Sequence, residues 1–316
     1  MQNRSHIAPV GSNRMSLANV SKGRIDKPLR VCVFGTPGVG KSTFAAAAPR
    51  PIFLCAEDGT SHLDVERFPQ PASWQDALDA LTALLHDEHP YKTLAVDTLD
   101  WLEPLCWKQV AQDARVADVE QIPYGKGYAA AVALWRLFLG RLDTLVRTRR
   151  MNVILLAHAV IKRVDDPQTG PFDRYRIPLH EKSADLIREW VDALLFARHE
   201  VRTVERNGKV RGMSSGNRLL HTTWTAAYDA KNRFDLPETL PLSWEDFESA
   251  CKAHVPADPA KLRAEIESLL PQLDEETRGK AVDYLGKHGT DPAKLAQLAD
   301  RVRSKVVLQG EGGGES

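Results

Sequence analysis

The tightest constraint in this chain is an octapeptide, Gly35-Thr36-Pro37-Gly38-Val39-Gly40-Lys41-Ser42, which fits G-x-x-x-x-G-K-[ST] and directly follows the apolar run Val31-Cys32-Val33-Phe34. Backbone N–H groups in such a loop cradle phosphates only when a buried strand launches the loop and a helix N-terminus receives it. Both signals are present, the second in Thr43-Phe44-Ala45-Ala46-Ala47-Ala48. The pattern therefore predicts a triphosphate site for ATP or GTP. Lys41 is expected to reach the β and γ phosphates, Ser42 to give its hydroxyl to Mg²⁺, and Thr43 to bond a phosphate oxygen. Gly35, Thr36, Pro37, Gly38, Val39 and Gly40 complete the cradle.

Around this loop the chain alternates short apolar runs with amphipathic stretches. Strands are expected at Val31–Phe34, Ile52–Ala56, Thr93–Asp97, Val153–Ala157 and Ala193–Ala197, with helices at 42–48, 74–86, 99–114, 126–148 and 182–190. Strand, helix, strand in succession argues for parallel pairing with right-handed crossovers, hence an α/β fold with a mainly parallel sheet and helices on both faces. After residue 197 the pattern changes. Val201–Glu205, the turn Asn207-Gly208, Val210 and Arg218–Ala227 predict an antiparallel extension.

From Pro256 onward the chain reads as helical. Asp258-Pro259 and Asp291-Pro292 each place an acceptor cap before a first-turn proline, and Leu262, Ile266, Leu269, Leu270, Val282, Leu285, Leu295, Leu298 and Val302 supply the stripes of a small three-helix module. The expected domains are a flexible basic arm over 1–16, an ATPase core over 17–252, a helical module over 253–309 and a flexible tail over 310–316. The arm's charge comes from the N-terminal stretch in which Arg4, Arg14, Lys22, Arg24, Lys27 and Arg30 face Asp26 alone.

Composition excludes several classes. The formal net charge is +0, so no whole-molecule field draws the protein onto nucleic acid, and such binding would need local patches. Cys32, Cys55, Cys106 and Cys251 show no C-x-x-C spacing, which favours reduced buried thiols over disulfides or zinc. No apolar stretch is long enough to span a bilayer and the N-terminus lacks a signal-peptide core, so a cytoplasmic protein without membrane contact is expected.

A nucleotide site also needs an acid that holds Mg²⁺ through water. Leu94-Ala95-Val96-Asp97 ends a buried strand in such a carboxylate, making Asp97 the Walker B candidate. Its successor is Thr98, not the glutamate that often activates water there. The run Ile52–Ala56 instead ends in Glu57-Asp58-Gly59 at the edge of the sheet where ligands bind, so Glu57 is assigned as general base, with Asp58 as the alternative. His158, closing Val153–Ala157, either senses the γ phosphate or is a structural histidine.

The order of these pieces resembles the RecA-type ATPase core, in which the base lies on the strand before Walker B. Ala227–Pro237 resembles the K-x-R element of RecA-fold hexameric helicases of the DnaB type, which implies that Lys231 and Arg233 enter a neighbouring subunit's ATP site. Over residues 17–250 the chain is most similar to the phage-encoded P-loop nucleotide-binding proteins, short RecA cores linked to single-strand annealing and recombination. That likeness rests on Pro37–Thr43, Ala56–Gly59, Tyr124-Gly125-Lys126-Gly127-Tyr128, Ala157-His158 and Lys231-Asn232-Arg233. RecA's N-terminal oligomerisation helix and long C-terminal domain have no counterpart here, and residues 256–316 lie outside the resemblance.

The resemblance implies ATP with Mg²⁺, single-stranded DNA as partner, a single-strand-binding protein as a further partner, a homo-oligomer with shared sites, and the cytoplasm of a bacterial host. The implied work is DNA binding, annealing or strand exchange. A ring-forming helicase or translocase and a nonmotor scaffold that uses ATP as a structural ligand are the alternatives. Lys162 and Arg163, followed by Asp165–Pro171 in a long loop after His158, and Arg198, Arg202, Arg206, Lys209 and Arg211 are the cations available to track phosphates. Phe172 and Tyr175 are available for base stacking or for packing.

Overall fold

The structure, a computed structural model, describes residues 17–20, 25, 27–206, 209–253, 259–289 and 291–311. There are two compact units, one spanning Lys27–Val255 and one gathering the described residues of Met1–Asp26 and Pro256–Ser316.

In the larger unit the apolar runs become strands β1 (Arg30–Gly35), β2 (Pro51–Cys55), β4 (Thr93–Asp97) and β5 (Asn152–His158), with a short β3 (Glu66–Arg67) after β2. A hairpin of β6 (Val160–Asp166) and β7 (Gly170–Arg176) follows, after which β8 (Ala193–Arg206) re-enters the sheet and doubles back as β9 (Lys209–His221). With β10 (Lys231–Asn232) and β11 (Thr239–Pro241), the sheet runs β11-β9-β8-β1-β5-β4-β2-β3, with β10 also paired to β8. From β8 to β3 every pairing is parallel, and β9, β10 and β11 are antiparallel additions at one side.

Helices α1 (Lys41–Ala46), α2 (Trp74–His86), α3 (Leu99–Asp113), α4 (Lys126–Thr144), α5 (Glu181–Trp190) and α6 (Trp244–Ala253) complete the unit. One face of the sheet packs on α2, α3, α4 and α5, the other on α1 and α6. That double cover is why β1 and β4 read as unbroken apolar runs, not as alternating ones. Helix α2 starts where Ser73 Oγ accepts the Asp76 N–H at 3.1 Å and Asp76 accepts the Ser73 N–H at 3.0 Å, a reciprocal cap. Helix α1 has only six residues, too few to be stable alone. Phe44 secures it, its ring centroid 5.6 Å from Trp244 and 6.0 Å from Phe247. Burying one such side chain stabilises by about 2–3 kcal/mol.

In this unit two expectations need correction. The segment after His158 is a hairpin, not a loop: Val160, Lys162 and Val164 pair with Arg176, Arg174 and Phe172. Asp166 closes it by accepting the N–H groups of Gln168 (2.8 Å) and Thr169 (2.9 Å), which leads into Gly170 at φ 78°. The strand expected over Arg218–Ala227 stops at His221, because Thr222 turns away to donate its N–H to Glu238 O and its hydroxyl to Pro237 O.

The second unit contains α7 (Pro259–Leu269), α8 (Glu275–His288) and α9 (Pro292–Glu311) around Leu262, Ile266, Leu285, Leu295, Leu298 and Val302. Ala281 takes the core position expected of Val282, which is 51% exposed, since Ala281 and Leu285 are one turn apart on the same helix face. Asp291 caps α9, accepting the Lys294 N–H at 3.2 Å. The arm over 1–16, Asn207-Gly208, Asp258 and the tail beyond residue 311 lie outside the described residues. Among the described residues no helix is long and apolar enough to cross a membrane.

At the N-terminal edge of the sheet, Asp192 is 1% exposed and accepts from Lys27 (2.9 Å), Arg30 (3.0 Å) and Arg233 (3.1 Å). Burial alone would raise its pKa, but the bonds from Arg30 and Lys27 outweigh it and hold the carboxyl below the usual range. Asp192→Asn should cost about 3 kcal/mol in urea unfolding at neutral pH. Because the folded pKa is depressed, the penalty should shrink as pH falls through the carboxylate range.

Candidate nucleotide-binding site

The loop after β1 turns on two glycines. Gly35 lies beside Ala197 of β8, where a Cβ would sit 2.2 Å from the Ala197 carbonyl oxygen. Gly40 has φ 106°, and a Cβ there would also meet the Arg218 guanidinium at 2.6 Å. Val39 is buried, Thr36 and Gly40 are partly exposed, and Pro37 and Gly38 form the outer rim. The loop so shaped delivers Lys41, Ser42 and Thr43 in the first turn of α1, with Thr43 exposed. Lys41 is only 6% exposed, and its ammonium donates back to the carbonyls of Gly35 (3.3 Å) and Thr36 (3.4 Å). Burial pulls its pKa down, against the attraction of Asp97, Asp100 and Glu57.

Ser42 donates its hydroxyl to Asp97 Oδ2 at 2.6 Å. Asp97 is 1% exposed, and its Oδ1 is buried without a hydrogen-bond partner among the described residues. Burial pushes this carboxyl above its ordinary range despite Ser42 and Lys41. A hydroxyl beside a buried carboxylate with one unmatched oxygen fits the donor set for hydrated Mg²⁺, a hard cation that takes oxygen ligands and keeps its waters. Ser42 and Asp97 would hold it. The ion would supply charge neutralisation to phosphate oxygens.

Glu57 follows β2 on the same edge, where Ala56 donates its N–H to Asp97 O at 2.7 Å. Burial raises the Glu57 pKa, and Lys41, His158, Asp97 and Asp100 all act on it electrostatically. Asp58 is exposed. Glu57, half-buried, is therefore the acid that acts at this edge, while Asp58 is left in solvent. His158 pairs with Gly35 in the β1–β5 register, and its Nε2 lies 3.9 Å from Glu57 Oε1. Its Nδ1 is 2.7 Å from Asp100 Oδ2, and its backbone N–H donates to Asp100 Oδ1 at 2.9 Å. The bond to Asp100 raises the His158 pKa.

Lys41, Ser42, Glu57, Asp97 and His158 therefore converge. Lys231 and Arg233 do not join them within the chain. Lys231 pairs with Leu194, near the start of β8, whereas Gly35 is beside Ala197, roughly 10 Å further along the strand. Lys231 Nζ donates to the carbonyls of Arg188 (2.8 Å), Glu189 (3.1 Å) and Val191 (2.9 Å), closing the C-terminus of α5. Arg233 is held by Asp192.

Two neighbours of the site escaped sequence reasoning. Asp100 stands in the first turn of α3, where an acid is expected merely from the helix dipole. Arg218, on β9, donates to Val39 O at 3.4 Å across 179 positions of chain, and no local signal points to it.

A phosphate loop between β1 and α1, an acid closing β4, and β5 inserted between β1 and β4 define a P-loop nucleoside-triphosphatase fold. A family profile described as an AAA domain matches residues 27–234, and the chain belongs to that family. No curated protein matches the chain. Among solved structures, the crystal structure of the RadB recombinase is similar over 68% of this chain and 86% of its own, with a TM-score of 0.39 and 14% identity.

A Cβ at Gly38 (φ 73°) meets nothing within 4 Å, and the Arg218 guanidinium beside Gly40 is the end of a flexible side chain that can move aside, so backbone conformation separates the two positions. At φ 106° Gly40 lies well outside the left-handed well at about 57°, whereas Gly38 lies close to it. Gly40→Ala should therefore weaken binding of a fluorescent ATP analogue more than Gly38→Ala does, and equal losses would dismiss the backbone constraint at position 40.

Proposed function

We propose that this protein is a RecA-like ATPase that couples ATP binding and hydrolysis to single-stranded DNA binding, annealing or strand exchange, in the manner of the short phage-encoded recombination ATPases. The observation that carries the ATPase part is the convergence of Lys41, the Ser42–Asp97 pair and Glu57 at one sheet edge. In this reading Lys41 holds the β and γ phosphates, Ser42 and Asp97 serve Mg²⁺, and Glu57 takes a proton from the attacking water.

The DNA part has separate support. The β6–β7 hairpin starts two residues after His158 and presents Ile161, Lys162 and Arg163 to solvent. Tyr124, before α4, is 95% exposed in the stretch that resembles the phage proteins. Exposed cations on a ribbon and an exposed aromatic ring are the side-chain types that sequence-tolerant single-strand binding uses. Phe172 and Tyr175 are otherwise engaged: Tyr175 packs 4.9 Å from Phe196, and Phe172 lies under Arg174.

One observation weighs against sites shared between subunits. Lys231 and Arg233 already have partners inside the chain, so a shared site requires Arg233 to leave Asp192 on assembly.

ATP turnover by the full chain, measured with and without single-stranded DNA, separates these readings. The coupled ATPase predicts DNA stimulation and a loss of about a hundredfold or more in Lys41→Ala and Glu57→Gln, with Glu57→Gln still binding ATP. An inactive Arg233→Ala rescued by mixing with Lys41→Ala would establish sites shared between subunits. Full activity of Arg233→Ala alone would end that assignment, and DNA binding unchanged in Glu57→Gln would favour the scaffold.

A further inference from the structure

We propose that Asp100 is a positioning residue that, by clamping His158, makes the site distinguish ATP from ADP; this rests on reading the site as an ATP site. Asp100 commits both carboxylate oxygens to one residue, Oδ1 to the His158 backbone N–H at 2.9 Å and Oδ2 to its Nδ1 at 2.7 Å. A first-turn acid ordinarily serves its own helix. This one ties α3 to the end of β5.

The clamp fixes both the place of the ring and its orientation. With Nδ1–H donated to Asp100, Nε2 is the nitrogen left to address the site, and it faces Glu57 Oε1 at 3.9 Å, beyond hydrogen-bond reach. The charged groups around the ring are Asp100 from α3, Glu57 after β2, Lys41 from α1 and Asp97 at the end of β4. Lys41 marks where the β and γ phosphates lie, because the loop lysine reaches them in this motif. Protonated at both nitrogens, the ring donates from Nδ1 to Asp100 and from Nε2 to a γ-phosphate oxygen, which accepts. ADP offers none at that position. When ATP is bound, the ring's attraction is divided between the phosphate and Glu57, which leaves the Glu57 carboxylate available to water. Without Asp100 the imidazole is free to turn about its side-chain torsions, and the discrimination disappears although the phosphate loop is intact.

The test measures the affinities of a non-hydrolysable ATP analogue and of ADP, with Mg²⁺, for the full chain and for Asp100→Asn, His158→Ala and the double variant. Asn keeps the shape of Asp, and thermal unfolding reports whether the variants fold. Expected is a loss of about tenfold in the ratio of ATP-analogue to ADP affinity in each single variant, the scale of one charge-assisted hydrogen bond. ADP affinity should stay within about twofold, and the double variant should be no worse than His158→Ala, since coupled residues are not additive. A ratio unchanged in Asp100→Asn, equal loss of both nucleotides, or losses that multiply in the double variant would overturn the proposal. The ATPase reading is judged separately. Turnover with an unmoved ratio sinks the clamp alone, and the expected ratios without turnover sink catalysis alone.

Discussion

The hydrogen bond from Ser42 to Asp97 is the contact on which the arrangement of the site depends. It joins the first turn of α1 to the end of β4 although the two strands concerned are not neighbours: β5 runs between β1 and β4. That insertion sets the width of the site. It opens room for His158, at the end of β5, between the phosphate loop and the two acidic strand ends. Continuous apolar burial of β1, β4 and β5 fixes the register, and the register decides that Gly35 meets His158 and that Asp97 meets Leu156. A slip of one residue would turn every side chain to the opposite face.

The two edges of the sheet use charge differently. At the N-terminal edge Asp192 is surrounded by Lys27, Arg30 and Arg233, and its charge is satisfied within the fold. At the C-terminal edge Asp97, Asp100 and Glu57 share Lys41 and His158, and burial raises the pKa values of Asp97 and Glu57. Such an excess of acid at one edge suits the uptake of a cation. The first edge holds structure. The second has chemistry left over.

Much of this was legible from local pattern. The strand and helix positions of the core follow from apolar period and length, and the phosphate loop announced itself through glycines, lysine and serine in a fixed spacing. The β6–β7 hairpin was hidden because Asp165-Asp166-Pro167-Gln168-Thr169-Gly170-Pro171 is so polar that its turn chemistry outweighs the alternation on either side. Lys231 and Arg233 were read from a short resemblance. Alternation along a strand says which residues share a face, but nothing about which edge of the sheet the strand meets.

The sequence by itself determined the parallel α/β core, the phosphate loop and the acid at the end of β4, because each depends on residues adjacent in the chain and on burial of continuous apolar runs. Only the tertiary structure decided that Glu57 comes within 3.9 Å of His158 while Asp58 stays exposed, that Asp100 clamps His158, that Arg218 stands over Gly40, and that Arg233 answers Asp192. Those partners are separated by tens to hundreds of positions. Their meeting is set by strand order and register, through long-range packing that no local pattern encodes.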